Sequence, residues 1–226
     1  MPTHSPGTIA IISGFLSRYA DFWASAMATL APVGSNINLV RGIHSLQNCN
    51  RAIREMRGEW IWMMDDDHVY APDTLLKLLE VDAPLVVPLV ARRSMPFRTL
   101  VGDRAQASGN GIHRMWSWYE VPTDGKPFEV GGASRAGMLI RRPVIEALSD
   151  PWFEPHPVTQ GGNDYWFCEK AADAGFHIMV QPEATMGHLT TVMVQPVLGA
   201  GGWLPRLQDD CGVEICAVGE APEEVQ

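Results

Sequence analysis

The sequence predicts an α/β fold: a mixed, mostly parallel sheet flanked by helices. Two observations predict it. The first ninety residues alternate apolar strand-like runs with helical patterns three times, which implies right-handed strand–helix–strand units. One of those runs, Glu59 to Met64, stops abruptly at Asp65-Asp66-Asp67. In open α/β sheets the crevice at the carboxyl ends of the strands is where ligands bind. The chain has 226 residues, 46% of them hydrophobic, enough for one substantial core. We read residues 1–208 as a single domain and 209–226 as a C-terminal extension whose acidic last ten residues are expected to be disordered.

The elements follow in order. Thr8 to Phe15 is a buried strand. Tyr19 to Leu30 is helical, with Phe22, Trp23, Ala26, Met27 and Leu30 recurring at three and four, and Pro32 and Gly34 end it. Asn36 to Val40 is a second strand and Leu46 to Met56 a second helix, closed by Gly58. After the strand Glu59–Met64, Pro72 opens a third helix with Leu75, Leu76, Leu78 and Leu79 on its buried side. Pro84 to Val90 is a fourth strand. Arg92 to Pro127 is rich in arginine, glycine and aromatics and reads as irregular structure with short antiparallel strands. Gly131 to Ile140 is a glycine-rich turn feeding a strand, and Pro143 starts a short helix through Leu148. Gly161-Gly162-Asn163-Asp164 precedes a helix over Tyr165–Ala174. Phe176 to Val180 is a strand, with His188 shortly after. Gly199, Gly201 and Gly202 mark a flexible stretch before Trp203, read as a lid over bound ligand.

The net charge of −9 gives no global field toward nucleic acid, although a local basic groove is compatible with it. The four cysteines do not form a disulfide framework, which fits a reducing cytoplasm, the expected location. The N-terminus shows no signal peptide, and the longest apolar run, Pro84 to Ala91, is too short to span a membrane.

Three carboxylates at the end of a buried strand need cations to neutralise them. Hard divalent metals such as Mn²⁺ and Mg²⁺ accept carboxylate oxygens and leave positions open for substrate phosphates. The plainer alternative is a solvated acidic loop.

Three features line up along the chain: Asp65-x-Asp67, Asn163-Asp164 at the mouth of a helix, and His188. With the Gly131–Ile140 segment and Arg141-Arg142-Pro143, their order resembles the GT-A glycosyltransferases, Rossmann-like enzymes that use nucleotide sugars. The resemblance covers roughly residues 8 to 190 and implies a GT-A fold. It implies that Asp67 binds Mn²⁺ or Mg²⁺, that Asp65 meets the ribose or metal-bound water, and that His188 is a further metal or diphosphate contact. It makes Ser13, Gly14, Phe15, Asn48, Asp65, Asp66 and Arg92 the donor contacts. Asp164 is then the base of an inverting reaction, or Asn163 or Asp164 simply caps the helix. The chain departs from the frequent Glu-Asp pair by carrying Asn163, and from an Arg-Asn of many relatives by carrying Gln47-Asn48.

The implied activity is a metal-dependent transfer of a sugar from a nucleoside-diphosphate sugar, a UDP-sugar by default, to a hydroxyl acceptor. Trp116, Trp118 and Trp203 are candidates for the acceptor platform, with core packing the alternative for each ring. The acceptor is a saccharide, a protein or a hydroxylated nucleobase in DNA. The last would need a basic groove, for which Arg92, Arg93, Arg98, Arg104 and Arg114 are the candidates. Two other readings compete. Met63 to Val69 also looks like the opening of haloacid-dehalogenase-type phosphatases, with Asp65 as nucleophile, though two strand–helix units precede it. The third is a non-catalytic nucleotide-sugar binder of the same fold.

Overall fold

The computed structural model describes residues 4–14, 19–94, 96–104, 114–157, 162–190, 193–208 and 214–217. The first half runs β1 (Thr8–Ser13), α1 (Ala20–Ala28), β2 (Asn36–Arg41), α2 (Ser45–Arg54), β3 (Trp60–Asp65), β4 (His68–Tyr70), α3 (Thr74–Glu80) and β5 (Leu85–Val90). The second half runs β6 (Val101–Gly102), β7 (Phe128–Val130), β8 (Gly132–Ala133), β9 (Leu139–Arg141), α4 (Arg142–Ala147), α5 (Asn163–Asp173), β10 (Ile178–Leu189), β11 (Met193–Gly199), β12 (Gly202–Gln208) and β13 (Glu214–Ala217). Among the described residues no helix is long and apolar enough to cross a membrane.

The main sheet has the order β13-β12-β11-β10-β5-β9-β3-β1-β2. The expected parallel pairs form: β1 lies between β2 and β3, parallel to both, and β5 is parallel to β10. One expectation is corrected. β3 and β5 are not neighbours, because β9 inserts between them, antiparallel to each. A strand's apolar run shows that it is buried but not which way it points. Gly137 makes the insertion possible. Its φ of +70° is left-handed, and a Cβ there would meet Met186 Sδ at 2.5 Å and Pro88 Cγ at 2.7 Å. Its N–H reaches the Met63 carbonyl and starts the β3–β9 ladder.

β3 carries Trp60, Ile61, Trp62, Met63 and Met64, all buried, so both faces of the sheet are covered. On one face Ala10, Ile12, Ile61 and Met63 join α2, α4 and α5 through Cys49, Val144 and Phe167. On the other, Ile9, Ile11, Trp60, Trp62 and Met64 join α1 and α3 through Phe22, Leu75 and Leu78. Arg141, at the end of β9, donates to the carbonyls of Leu79, Val81 and Ala83 and so closes the C-terminus of α3.

Three further expectations are corrected. α3 begins at Thr74, and the Pro72 carbonyl instead accepts the N–H of Leu30. β10 is twelve residues long, so His188 lies within a strand rather than after it. Gly199 and Gly202 are the last paired residues of the β11–β12 hairpin, so this stretch is a tight turn between paired strands rather than an irregular segment. Because β13 pairs with β12, the sheet also continues past residue 208. The expected disordered end, 218–226, lies outside the described residues.

Candidate active site

The sequence places the acidic run where β3 hands over to β4. Asp65 is the last residue of β3, Asp66 and Asp67 form the turn, and His68 opens β4. β4 pairs not with β3 but with β10, in a register that sets His68 opposite His188. The two imidazoles stack with centroids 4.1 Å apart. Their ring nitrogens and the Asp67 carboxylate lie within 4.8 Å of one another, a group able to hold a metal ion.

Each member is held by its neighbours. His188 Nδ1 lies 3.0 Å from the Ala91 carbonyl, which fixes the tautomer with the proton on Nδ1. Nε2 then turns a lone pair toward Asp67 Oδ2, 3.6 Å away. His68 Nδ1 lies 2.8 Å from Asp67 Oδ1, yet neither His68 ring nitrogen makes a hydrogen bond of good geometry, although the ring is buried. A buried imidazole without hydrogen bonds is costly in isolation, and ligation of a cation would offset that cost. Burial pushes the His68 pKa down despite Asp67, leaving the neutral imidazole that a metal requires. Burial opposes ionisation of Asp67, but His188 and His68 outweigh it and hold the carboxyl well below the usual range. Arg93 Nη1 approaches Asp67 Oδ2 at 2.9 Å from the exposed side.

A second cluster adjoins the first. Arg135 is a nearly buried cation that pairs with Asp65, donates to Ser45 Oγ at 2.7 Å and places Nε 3.4 Å from Asp164 Oδ1. Its backbone N–H and the Ser134 hydroxyl both donate to Asp164 Oδ2 at 3.2 Å. Burial raises the pKa of Asp164, with Arg135 working the other way. Asp164 is the second residue of α5, and the N-cap is Gly162 in the left-handed region. Neither Asn163 nor Asp164 caps the helix with its side chain. The Asp164 carboxylate is turned instead to the loop before β9.

Between these clusters lies a cleft of about 170 Å³, lined by Gly14, Ile43, Ser45, Arg135 and the three aspartates, with Ile12 at its floor. The structure therefore brings together Gly14, Asp65, Asp66 and Asp67, sets His188 beside Asp67, and ties Asp164 to Asp65 through Arg135. Ser13 is buried behind Gly14, its carbonyl accepting the N–H of Gly42. Phe15 lies outside the described residues. Asn48 is not at the cleft surface: it is buried and donates to the Gly42 carbonyl at 2.7 Å, bracing the loop that carries Ile43 and Ser45. Arg92 is exposed, and its neighbour Arg93 reaches the site instead.

The aromatic platform is also corrected. Trp118 is 2% exposed, with its indole N–H on the Phe97 carbonyl, and is core. Trp116 stacks on Phe128 and donates to Asp103. Trp203 packs against the core and donates to the Pro122 carbonyl. None of the three lines the cleft. Of the arginines considered for a basic groove, Arg93, Arg104 and Arg114 are each paired with carboxylates.

Sequence reasoning missed His68, Arg135 and Ser45. His68 was legible as the next residue after the aspartates. Arg135 is the lone cation in Gly-Gly-Ala-Ser-Arg-Ala-Gly, but only the fold shows that it spans two carboxylates seventy and twenty-nine positions away.

Comparison with known proteins agrees with the fold. The sequence model of Glycosyl transferase family 2 matches residues 40–149, from the end of β2 to just past α4. No curated protein matches the chain. Among solved structures, A197 from STIV is similar with a TM-score of 0.54 and 14% identity, over 83% of this chain and 89% of that one. GalNAc-T7, solved with UDP, GalNAc and Mn²⁺, is similar with a TM-score of 0.57 and 13% identity, over 81% of this chain. The match covers 44% of the GalNAc-T7 chain, so this chain spans less than half of it. At such identities the likeness speaks for the fold.

Proposed function

We propose that this chain, which has the GT-A fold and a segment matched by the Glycosyl transferase family 2 model, is a metal-dependent glycosyltransferase that transfers a sugar from a nucleoside-diphosphate sugar, UDP-linked by preference, to a hydroxyl acceptor. The observation that carries the metal is the Asp67–His68–His188 group at the mouth of the cleft. These three residues would hold the ion. One carboxylate and two imidazoles suit Mn²⁺ better than Mg²⁺, which favours oxygen ligands. The bound cation would neutralise charge developing on the leaving diphosphate. UDP and Mn²⁺ in the GalNAc-T7 structure support the same donor and metal.

The residues of the chain have distinct tasks. Gly14, Ile43 and Ser45 wall the cleft where the nucleoside would lie, with Asp65 positioned by Arg135 to receive a ribose hydroxyl. The Arg93 guanidinium, held at 2.9 Å from Asp67, would be the cation nearest the diphosphate, which it suits as a bidentate donor. Asp164 takes the acceptor hydroxyl proton as that oxygen bonds to the anomeric carbon. The bond from the anomeric carbon to the diphosphate breaks at the same time. Its raised pKa improves it as a base, and Ser134 and Arg135 fix its direction. The phosphatase alternative loses its nucleophile, because Asp65 is clamped by Arg135. The pairing of Arg93, Arg104 and Arg114 with carboxylates favours a saccharide acceptor over a DNA base.

The test is a thermal-shift panel with UDP, GDP, CDP and ADP, each with and without Mn²⁺. A ligand that binds only the native state raises the melting temperature by mass action. The expected result is a rise with UDP that requires Mn²⁺. A UDP shift of equal size without metal would remove metal dependence, and a larger shift with another nucleotide would reassign the donor.

A further inference from the structure

The large apolar side chains left in water are concentrated in one stretch of the sequence. Among the described residues, Met27 is 86% exposed, Val33 98% and Ile37 67%, and Trp23, Leu30 and Leu39 are exposed as well. Trp23 and Met27, four apart, mark one flank of α1, and Leu30 follows just past its end. Ile37 and Leu39 lie on β2, opposite Ile9 and Ile11 of β1, which belong to the core beneath α1. The apolar side chains of β2 therefore project on the same face of the sheet as α1, and among the described residues they stay exposed.

Among the described residues β2 is also the free edge of the sheet. The N–H of Asn36 reaches the Gly7 carbonyl at 3.0 Å, and that of Gly42 reaches the Ser13 carbonyl at 3.1 Å. Alternation then turns the backbone groups of Asn38 and Val40 toward β1 and those of Ile37, Leu39 and Arg41 outward. Natural edge strands are usually guarded by lysine, proline or a bulge. β2 has none of these. Its sequence is Asn-Ile-Asn-Leu-Val-Arg, and its pairing with β1 is unbroken from Asn36 to Arg41.

We propose that this protein is a twofold homodimer in which β2 of one copy pairs antiparallel with β2 of the other. The sequence of the strand is self-complementary about Asn38. In that register Ile37 of each copy faces Leu39 of the other as a hydrogen-bonded pair, because both turn their N–H and C=O outward. The register satisfies the edge and joins apolar side chains to apolar side chains, as an isologous interface must. By their fractional exposures the six apolar residues offer at most roughly 700 Å² per copy, to which the β2 backbone edge adds, against the ~800 Å² per partner of a stable interface. A lipid surface fits less well. It would leave the outward N–H groups of β2 unpaired, and the chain carries a net charge of −9.

The experiment is sedimentation velocity of the full chain at micromolar concentration, on wild type and on Ile37→Lys/Leu39→Lys. The expected result is twice the protomer mass for wild type and the protomer mass for the double variant, with the same UDP–Mn²⁺ thermal response in both. The register has its own test. Oxidation of mixed Ile37→Cys and Leu39→Cys chains should give a disulfide-linked pair, with far less from Ile37→Cys alone. A monomeric wild type, or a double variant that remains dimeric, overturns the proposal. A monomeric wild type that binds neutral phospholipid vesicles overturns it in favour of a membrane surface. The sedimentation, crosslinking and vesicle readouts are independent of the proposed donor and metal.

Discussion

At the scale of single residues, the site rests on two charge problems solved side by side. Asp67 sits against His68 and His188 and is paired with Arg93, and Asp65 and Asp164 share the Arg135 cation. The first arrangement predicts that His68→Ala weakens Mn²⁺ dependence about 10- to 100-fold, as loss of a ligand or its support does, while the fold persists. Titration of transfer rate with Mn²⁺ measures it, and an unchanged midpoint would take His68 out of the metal site. The second arrangement predicts that Asp164→Asn lowers turnover by about 10²- to 10⁴-fold. Its UDP–Mn²⁺ thermal shift should stay at the wild-type value. The raised pKa of Asp164 also has a sign. A base must be ionised, so kcat/KM should fall as pH drops through that value. The acid limb should accordingly lie above the ~3.9 of an ordinary aspartate. A profile flat down to pH ~4 would separate Asp164 from the proton transfer.

At the scale of elements, the crossing of β3, β9 and β5 holds the site open on one side and the core closed on the other. Arg141 ties this crossing to α3 through three backbone carbonyls. Arg141→Met keeps most of the apolar stem but abandons those acceptors, which should cost about 2–3 kcal/mol, read as a lower denaturant midpoint. The β3-to-β4 turn is the other decisive element. Its chain alternation was legible, since five apolar residues followed by three aspartates can only end a buried strand. Its partner was not. That β4 pairs with β10, and so sets His68 on His188, depends on a register between residues about 120 positions apart. The glycines near 200 show the same limit from the other direction. Glycine spacing marks a bend, but whether the flanks pair into a hairpin is decided by what lies beside them.

At the scale of the whole molecule, the sheet sets the candidate site at the carboxyl ends of β1 and β3 and, among the described residues, leaves its β2 edge unpaired. Dimerisation through that edge would extend the sheet sideways without covering Asp67, His188 or Asp164, so it is compatible with the proposed activity. What the sequence determined by itself was local: which runs are strands or helices, where the carboxylates fall on them, and the resemblance that Asp65-x-Asp67, Asn163-Asp164 and His188 carry in order. These are set by periodicity and by near neighbours along the chain. What only the tertiary structure decided was partnership: β9 running antiparallel between β3 and β5, Trp118 turned into the core, His68 joined to the metal group, and Arg135 bridging two carboxylates. Those depend on contacts between distant segments, which side-chain periodicity does not encode.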